Sequence, residues 1–129
     1  MNDGWIVVDA SAILALLKRE PFRGFEPRRL VRAHISAVNL SEVFERLYAG
    51  GLSEPEADTA VAALDLRVIV FDSAQAQITA KLRAPTRHAG LSLGDRACLA
   101  LGNKLGCPVV TADQAWASLD VGVEVLLIR

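Results

Sequence analysis

Trp5-Ile6-Val7-Val8-Asp9-Ala10-Ser11-Ala12-Ile13-Leu14 is the stretch whose reading decides the fold. An apolar, β-branched run ends abruptly on a carboxylate, and an Ala/Leu-rich segment then continues to Lys18. A continuous apolar run of this length suits a strand covered on both faces, and the Ala/Leu segment suits a helix. A carboxylate at the end of a central strand is costly to bury without a partner. No Lys or Arg stands near Asp9 in sequence. Asp9 either caps the helix that starts at Ala10 or belongs to a site.

The same grammar repeats outward from this segment. Short β-branched runs recur at His34–Ser36 (weakly), Val68–Phe71, Val109–Thr111 and Val123–Leu126. Helical patterns lie between them. Leu40–Ala49 places Val43, Phe44 and Leu47 on one face, and Glu54–Leu64 follows Ser53 as cap with Pro55 and Glu56 behind it. Ala74–His88 is helical in part and should break near Pro85. Leu93–Leu105 stops at Gly106, with Pro108 just beyond. Strand–helix alternation implies right-handed crossovers and an α/β domain: a central, mostly parallel five-stranded sheet flanked by helices, spanning residues 1–129 as one unit. In such sheets ligands bind outside the carboxyl ends of the strands. Asp9 and Asp113 should point there.

Two further acids open helices: Glu42 in Ser36-Ala37-Val38-Asn39-Leu40-Ser41-Glu42, and Asp95 in Leu91-Ser92-Leu93-Gly94-Asp95. Each of the four acids also has a structural reading. Asn39 to Glu42 resembles a capping box, Ser92 to Asp95 can form a shorter one, and Asp113 can cap a short Gln114–Ser118 helix. The two readings are compatible, because helix N-termini orient carboxylates and keep them ionised. Four acids gathered at one sheet edge would repel one another. Two unit charges about 4 Å apart cost roughly 4 kcal/mol at an effective dielectric near 20. A hard divalent cation would relieve that cost, and magnesium prefers such oxygen ligands. His34 and His88 are isolated and show no metal-ligand spacing.

The bulk composition bounds the function class. With 129 residues and 52% hydrophobic content, the chain can bury a substantial core. No run approaches the roughly 18 apolar residues of a membrane span, and no secretory leader pattern opens the chain, so a soluble, cytoplasmic protein is expected. Cys98 and Cys107 are too few for a disulfide framework and read as reduced core thiols. Net charge is −1, which does not announce a nucleic-acid binder. The charge is unevenly spread, however. Lys18, Arg19, Arg23, Arg28, Arg29 and Arg32 stand against only Glu20 and Glu26 in that segment. This stretch is either a solvated face or a phosphate-backbone contact, with Arg28 and Arg29 as candidates.

Taken in order, Val7-Val8-Asp9-Ala10-Ser11-Ala12-Ile13-Leu14, Ile35-Ser36-Ala37-Val38-Asn39-Leu40-Ser41-Glu42-Val43, Leu91-Ser92-Leu93-Gly94-Asp95-Arg96-Ala97-Cys98-Leu99-Ala100 and Val109-Val110-Thr111-Ala112-Asp113 resemble the four acidic motifs of the PIN domain. The resemblance covers essentially the whole chain, and its small size points to VapC-type toxins of toxin–antitoxin pairs. It implies that Asp9, Glu42, Asp95 and Asp113 are metal-binding and catalytic acids. Ser11 and Thr111 match hydroxyl positions beside the site, and Asn39 lies close by. Ala112 departs from the larger or polar residue of many relatives. The resemblance further implies a Mg²⁺- or Mn²⁺-dependent endoribonuclease acting on tRNA or other structured RNA, a homodimer, and a cognate VapB-type antitoxin through which any operator DNA would be contacted. No membrane partner is implied.

Two other classes compete with that reading. A receiver-like phosphoacceptor module would use Asp72, which ends Val68-Ile69-Val70-Phe71, although Asp72-Ser73 also reads as a helix cap and the expected Lys is missing from the last strand region. A catalytically silent metal-binding interaction domain would keep the acids for folding and partner contact alone.

Overall fold

The computed structural model describes residues 4–129. Five strands form one sheet: β1 (Val7–Val8), β2 (His34–Ser36), β3 (Arg67–Ile69), β4 (Val109–Thr111) and β5 (Val125–Leu127). Their spatial order is β3-β2-β1-β4-β5, and every pairing is parallel. β1 is therefore central. Val7 registers with His34 on one side and Val109 on the other. The chain builds outward from β1 to β3, then returns across β1 to lay down β4 and β5. The direction of winding thus reverses between β1 and β4, the position at which sheets of this kind open a crevice.

Five helices cover the sheet: α1 (Ala10–Leu17), α2 (Ala37–Ala49), α3 (Glu54–Ala62), α4 (Ser73–Lys81) and α5 (Leu93–Leu105). Side chains alternate across the pleat, so adjacent strand residues feed different cores. Val8 and Val110 pack with Ile13, Val43 and Leu47 on one face. Val7 and Val109 pack with Cys98, Leu99, Leu101 and Trp116 on the other. Both cysteines are buried and free.

The expected helix ends mostly hold. Ser53 and Glu56 form a reciprocal capping box at the start of α3. Gly106 adopts the left-handed conformation that closes α5. α4 ends at Lys81, ahead of Pro85, and a separate 3-10 turn follows at Arg87–Ala89. One expectation is corrected. α2 starts at Ala37 rather than Leu40, because Ser36 is at once the last residue of β2 and the cap, its hydroxyl accepting from the Val38 N–H. Asn39 is consequently not a cap but lies inside the helix, buried. The short helix after Asp113 is a 3-10 turn, Gln114–Ser118. No helix among the described residues is long and apolar enough to cross a membrane.

Candidate metal centre at the carboxyl edge of the sheet

Asp9 follows the last residue of β1, and Asp113 stands two residues beyond β4. Parallel register puts both at the carboxyl edge, where the strand order reverses. α2 and α5 bring Glu42 and Asp95 to the same place. All four acids line one cleft of about 430 Å³.

Asp9 is the most constrained of them, at 4% exposure. Its Oδ1 accepts from the Ala12 N–H at 2.9 Å and from the Ser11 hydroxyl at 2.8 Å. Its Oδ2 accepts from the Thr111 hydroxyl at 2.5 Å. Those hydroxyls are themselves oriented from behind. Ser11 Oγ accepts from the Ala112 N–H and Thr111 Oγ1 from the Asp113 N–H. Their own protons are thereby left to point at the carboxylate, and the loop after β4 is fastened to the start of α1. No Lys or Arg pairs with Asp9: the ion pairs among the described residues are Lys104–Asp72 and Arg129–Glu20. Burial pushes the Asp9 pKa from 3.8 up to about 6, against the pull of the Thr111, Ala12 and Ser11 hydrogen bonds and with a further upward push from Asp95.

Glu42 is half-buried one turn inside α2. The Asn39 amide donates both to Glu42 Oε1 at 3.0 Å and to the Gly94 carbonyl at 2.9 Å, tying α2 to the first turn of α5. Burial raises the Glu42 pKa, Asn39 lowers it, and the charges of Asp95 and Glu45 raise it again. Gly94 leaves room for this approach: a Cβ there would overlap the Glu42 carboxylate and displace it. Asp95 closes a capping box with Ser92, each backbone N–H donating to the other side chain. Asp113 caps the 3-10 turn through the Ala115 N–H. All of the capping readings except that of Asn39 therefore coexist with convergence on one cleft.

The remaining candidates separate. Lys18 lines the acidic cleft, together with Arg46 and Arg129, which the sequence did not single out. Arg46 lies four residues after Glu42, so the helical period was the available signal. Arg28 and Arg29 are not brought to the cleft. They sit on an exposed 3-10 turn, Pro27–Leu30, with the Arg29 guanidinium 4.9 Å from the Phe25 ring. Arg29 and Arg32 instead line a small cavity with Trp5 and Arg67 around the starts of the strands, at the opposite edge of the sheet. Asp72 ends the edge strand region, caps α4 through the Gln75 N–H and pairs with Lys104 at 3.3 Å. The order β3-β2-β1-β4-β5 also differs from the 2-1-3-4-5 order of flavodoxin-like receivers, so the receiver reading is set aside.

The cleft's donors are carboxylate and hydroxyl oxygens, with no His or Cys among them. That set suits a hard cation such as Mg²⁺ or Mn²⁺ and not zinc. Asp9 is buried with no Lys or Arg paired to it among the described residues, and its pKa is raised first by burial and only last by Asp95. Among the described residues, no three acids are gathered closely enough to hold an ion by themselves. Magnesium, which usually takes one or two carboxylates and keeps several waters, does not require that they be.

An all-parallel α/β domain with an acid-lined switch point is the class these features define. The sequence matches the PIN domain family over residues 6–122, and the chain belongs to that family. No curated protein sequence matches it. Solved structures share its fold. A chain of VapBC2 from Rickettsia felis, solved with a promoter DNA fragment, matches with a TM-score of 0.76 at 12% identity, over 96% of this chain and 98% of its own. VapC20 from Mycobacterium tuberculosis, described as a Sarcin-Ricin loop cleaving toxin, matches with a TM-score of 0.67 at 20% identity, over 92% and 98%. A chain of VapBC-5 from Mycobacterium tuberculosis, of a toxin–antitoxin family, matches with a TM-score of 0.63 at 23% identity, over 98% of each.

Proposed function

We propose that this chain is a metal-dependent endoribonuclease toxin of VapC type, hydrolysing phosphodiester bonds of tRNA or another structured RNA and neutralised by a cognate antitoxin. The observation that carries the reading is the meeting of Asp9, Glu42, Asp95 and Asp113 around one cleft at the switch point of the sheet. Membership of the PIN family supports it, as does the likeness of fold to a toxin described as cleaving the Sarcin-Ricin loop. The VapBC assemblies among the fold neighbours support an antitoxin partner, with operator DNA contacted through that partner. A homodimer belongs to the same reading.

Asp9, Asp95 and Asp113 would hold Mg²⁺ or Mn²⁺ directly or through water, and Glu42 would ligate it or orient the attacking water. The ion, when bound, lowers the pKa of a bound water and neutralises charge on the phosphoryl oxygens. The chain's own part is to fix the acids. Ser11 and Thr111 lock both oxygens of Asp9. Asn39 holds Glu42 across the first turn of α5, and Ser92 fixes Asp95. With a pKa of about 6, Asp9 is ionised at pH 7 to 8 and available to a cation. Lys18 and Arg46 on the cleft wall offset part of the acidic field.

The test is cleavage of a small-RNA pool by the purified, antitoxin-free protein, with Mg²⁺ and with EDTA, beside Asp9→Asn. Discrete metal-dependent products that vanish in the variant support the reading. A folded, metal-loaded protein that cleaves no RNA, across transfer, ribosomal and messenger classes, shifts the assignment to a silent interaction domain.

A further inference from the structure

An RNA strand approaching this cleft meets an adverse field. Its walls carry six acids (Asp9, Glu20, Glu42, Glu45, Asp95, Asp113) against Lys18, Arg46 and Arg129. A site that cleaves a polyanion there needs positive charge alongside, and the exposed Arg28 and the Arg29–Arg32 cavity stand away from it. A second pocket, of about 390 Å³, adjoins the first turn of α5. Arg83, Arg87 and Arg96 line it with Thr86, Ser92 and Leu93, and no acid lines it.

We infer that this arginine pocket holds backbone phosphates of the RNA flanking the cleaved bond. The inference rests on the nuclease reading and names the path its substrate takes. The two cavities meet across Ser92 and Asp95: Ser92 lines the arginine pocket and caps α5, while Asp95, its partner in that capping box, lines the acidic cleft. Three residues, about 4.5 Å of helical rise, separate these positions, and the two are joined by the hydrogen bonds of the capping box. Arg96 is anchored rather than free, its Nη1 donating to the Thr79 carbonyl at 3.1 Å. Its buried Nε has no hydrogen-bond partner, leaving a donor group unsatisfied beside the pocket. Arg83 and Arg87 are exposed, and guanidinium groups recognise phosphate through paired N–H donors. Leu93, 55% exposed at the start of α5, supplies an apolar wall for a ribose or base.

The test uses the Asp9→Asn protein, so that RNA is bound and not consumed. Anisotropy of a fluorescein-labelled 12-nucleotide single-stranded RNA of mixed sequence is followed against salt. Each lost phosphate contact on a single strand flattens the logarithmic salt slope by about 0.7, which is about 5-fold in affinity at 0.1 M salt. Arg83→Ala/Arg87→Ala is expected to flatten the slope by about 1.4 and weaken binding about 25-fold. Its melting temperature should match the parent's. Arg83→Lys/Arg87→Lys should keep most of the slope, and Arg28→Ala/Arg29→Ala should change nothing. Parental affinity and slope in Arg83→Ala/Arg87→Ala would overturn the inference. So would an equal loss in Arg28→Ala/Arg29→Ala, or displacement of the RNA by polyglutamate of equal charge, which would mark a surface for an acidic protein. Cleavage by the chain with Asp9 intact is measured in parallel. Cleavage with no binding loss in Arg83→Ala/Arg87→Ala removes the path alone, and binding loss without cleavage removes the nuclease reading alone.

Discussion

Asp9→Asn is expected to stabilise the metal-free protein above pH 6 while abolishing its response to Mg²⁺. The pKa of Asp9 rises from 3.8 to about 6 on folding, chiefly through burial. A group whose folded pKa is raised contributes stability that is complete below about pH 3.8 and is lost as pH climbs through about 6. A rise from 3.8 to about 6 corresponds to about 3 kcal/mol, the free energy the metal-free protein forgoes at neutral pH by ionising Asp9. Asn cannot ionise, so the variant avoids that loss. It keeps an oxygen for the Ala12 N–H but brings an NH₂ against hydroxyls whose protons now point at Asp9. One hydroxyl must turn, at a cost of about 1 kcal/mol. The net gain is about 2 kcal/mol, or roughly 8 °C in Tm for a chain of this length. Melts in EDTA at pH 4.5, 6 and 8 measure it. The wild-type Tm, with other titrations common to both proteins, should fall relative to the variant from pH 4 to 6 and then run parallel. Adding Mg²⁺ at about 100-fold its Kd should return about 2.7 kcal/mol to the wild type alone. Parallel pH profiles for the two proteins in EDTA would refute the reasoning, because Asp9 would then carry no burial penalty.

Three further substitutions separate positioning from packing. Gly94→Ala places a Cβ against the Glu42 carboxylate, the movable end of a flexible side chain, so RNA cleavage should fall at least tenfold while Tm stays within a few degrees. Thr111→Val removes a hydrogen bond that lowers the Asp9 pKa and leaves the Asp113 N–H without its acceptor, so the acid limb of the cleavage–pH profile should move to higher pH. Gly102→Ala sets a Cβ about 2.5 Å from Val109 Cγ1, a stiff β-branched side chain in the core. Overpacking of this kind costs about 1–3 kcal/mol, to be read as a lower urea midpoint.

The site was more legible than the surface that serves it. A carboxylate directly after a fully apolar strand has few explanations, and parallel topology sends every strand-end residue to one edge, so Asp9 and Asp113 could be placed together from local sequence. The lateral order of strands could not be read, because it is set by which crossover returns past β1 rather than by any residue in the strands. Asn39 was misplaced for a related reason. Asn-x-x-Glu reads locally as a cap, but Ser36 already closes β2 and caps α2, and Asn39 is drawn inward to the Gly94 carbonyl 55 residues away. The close approach of the Glu42 carboxylate to Gly94 is likewise visible only once α2 and α5 meet. Arg28 and Arg29 do not line the acidic cleft, although they are near Lys18 in sequence. In a parallel sheet the connection after α1 must return to the amino edge before β2 begins, and these residues stand just ahead of it.

Capping and metal binding are usually weighed as rival accounts of an acid at a helix start, and here the geometry is compatible with both. Asp9, Asp95 and Asp113 each accept a backbone N–H at the beginning of a helix or 3-10 turn. Those N–H groups hold the carboxylates in one orientation without occupying every lone pair. For Asp9 the compensation is incomplete. Three hydrogen bonds lower its pKa, burial outweighs them, and Asp95 adds to the imbalance. A purely structural cap would be expected at the exposed surface, as Asp72 is, with its lowered pKa and Lys104 beside it. These two aspartates, each following a strand region and each capping the next helix, differ in burial and in partners: Asp72 is exposed and paired with Lys104, and Asp9 is buried with no cationic side chain paired to it. A cation paired directly with Asp9 would satisfy the carboxylate, and among the described residues no Lys or Arg makes that pair.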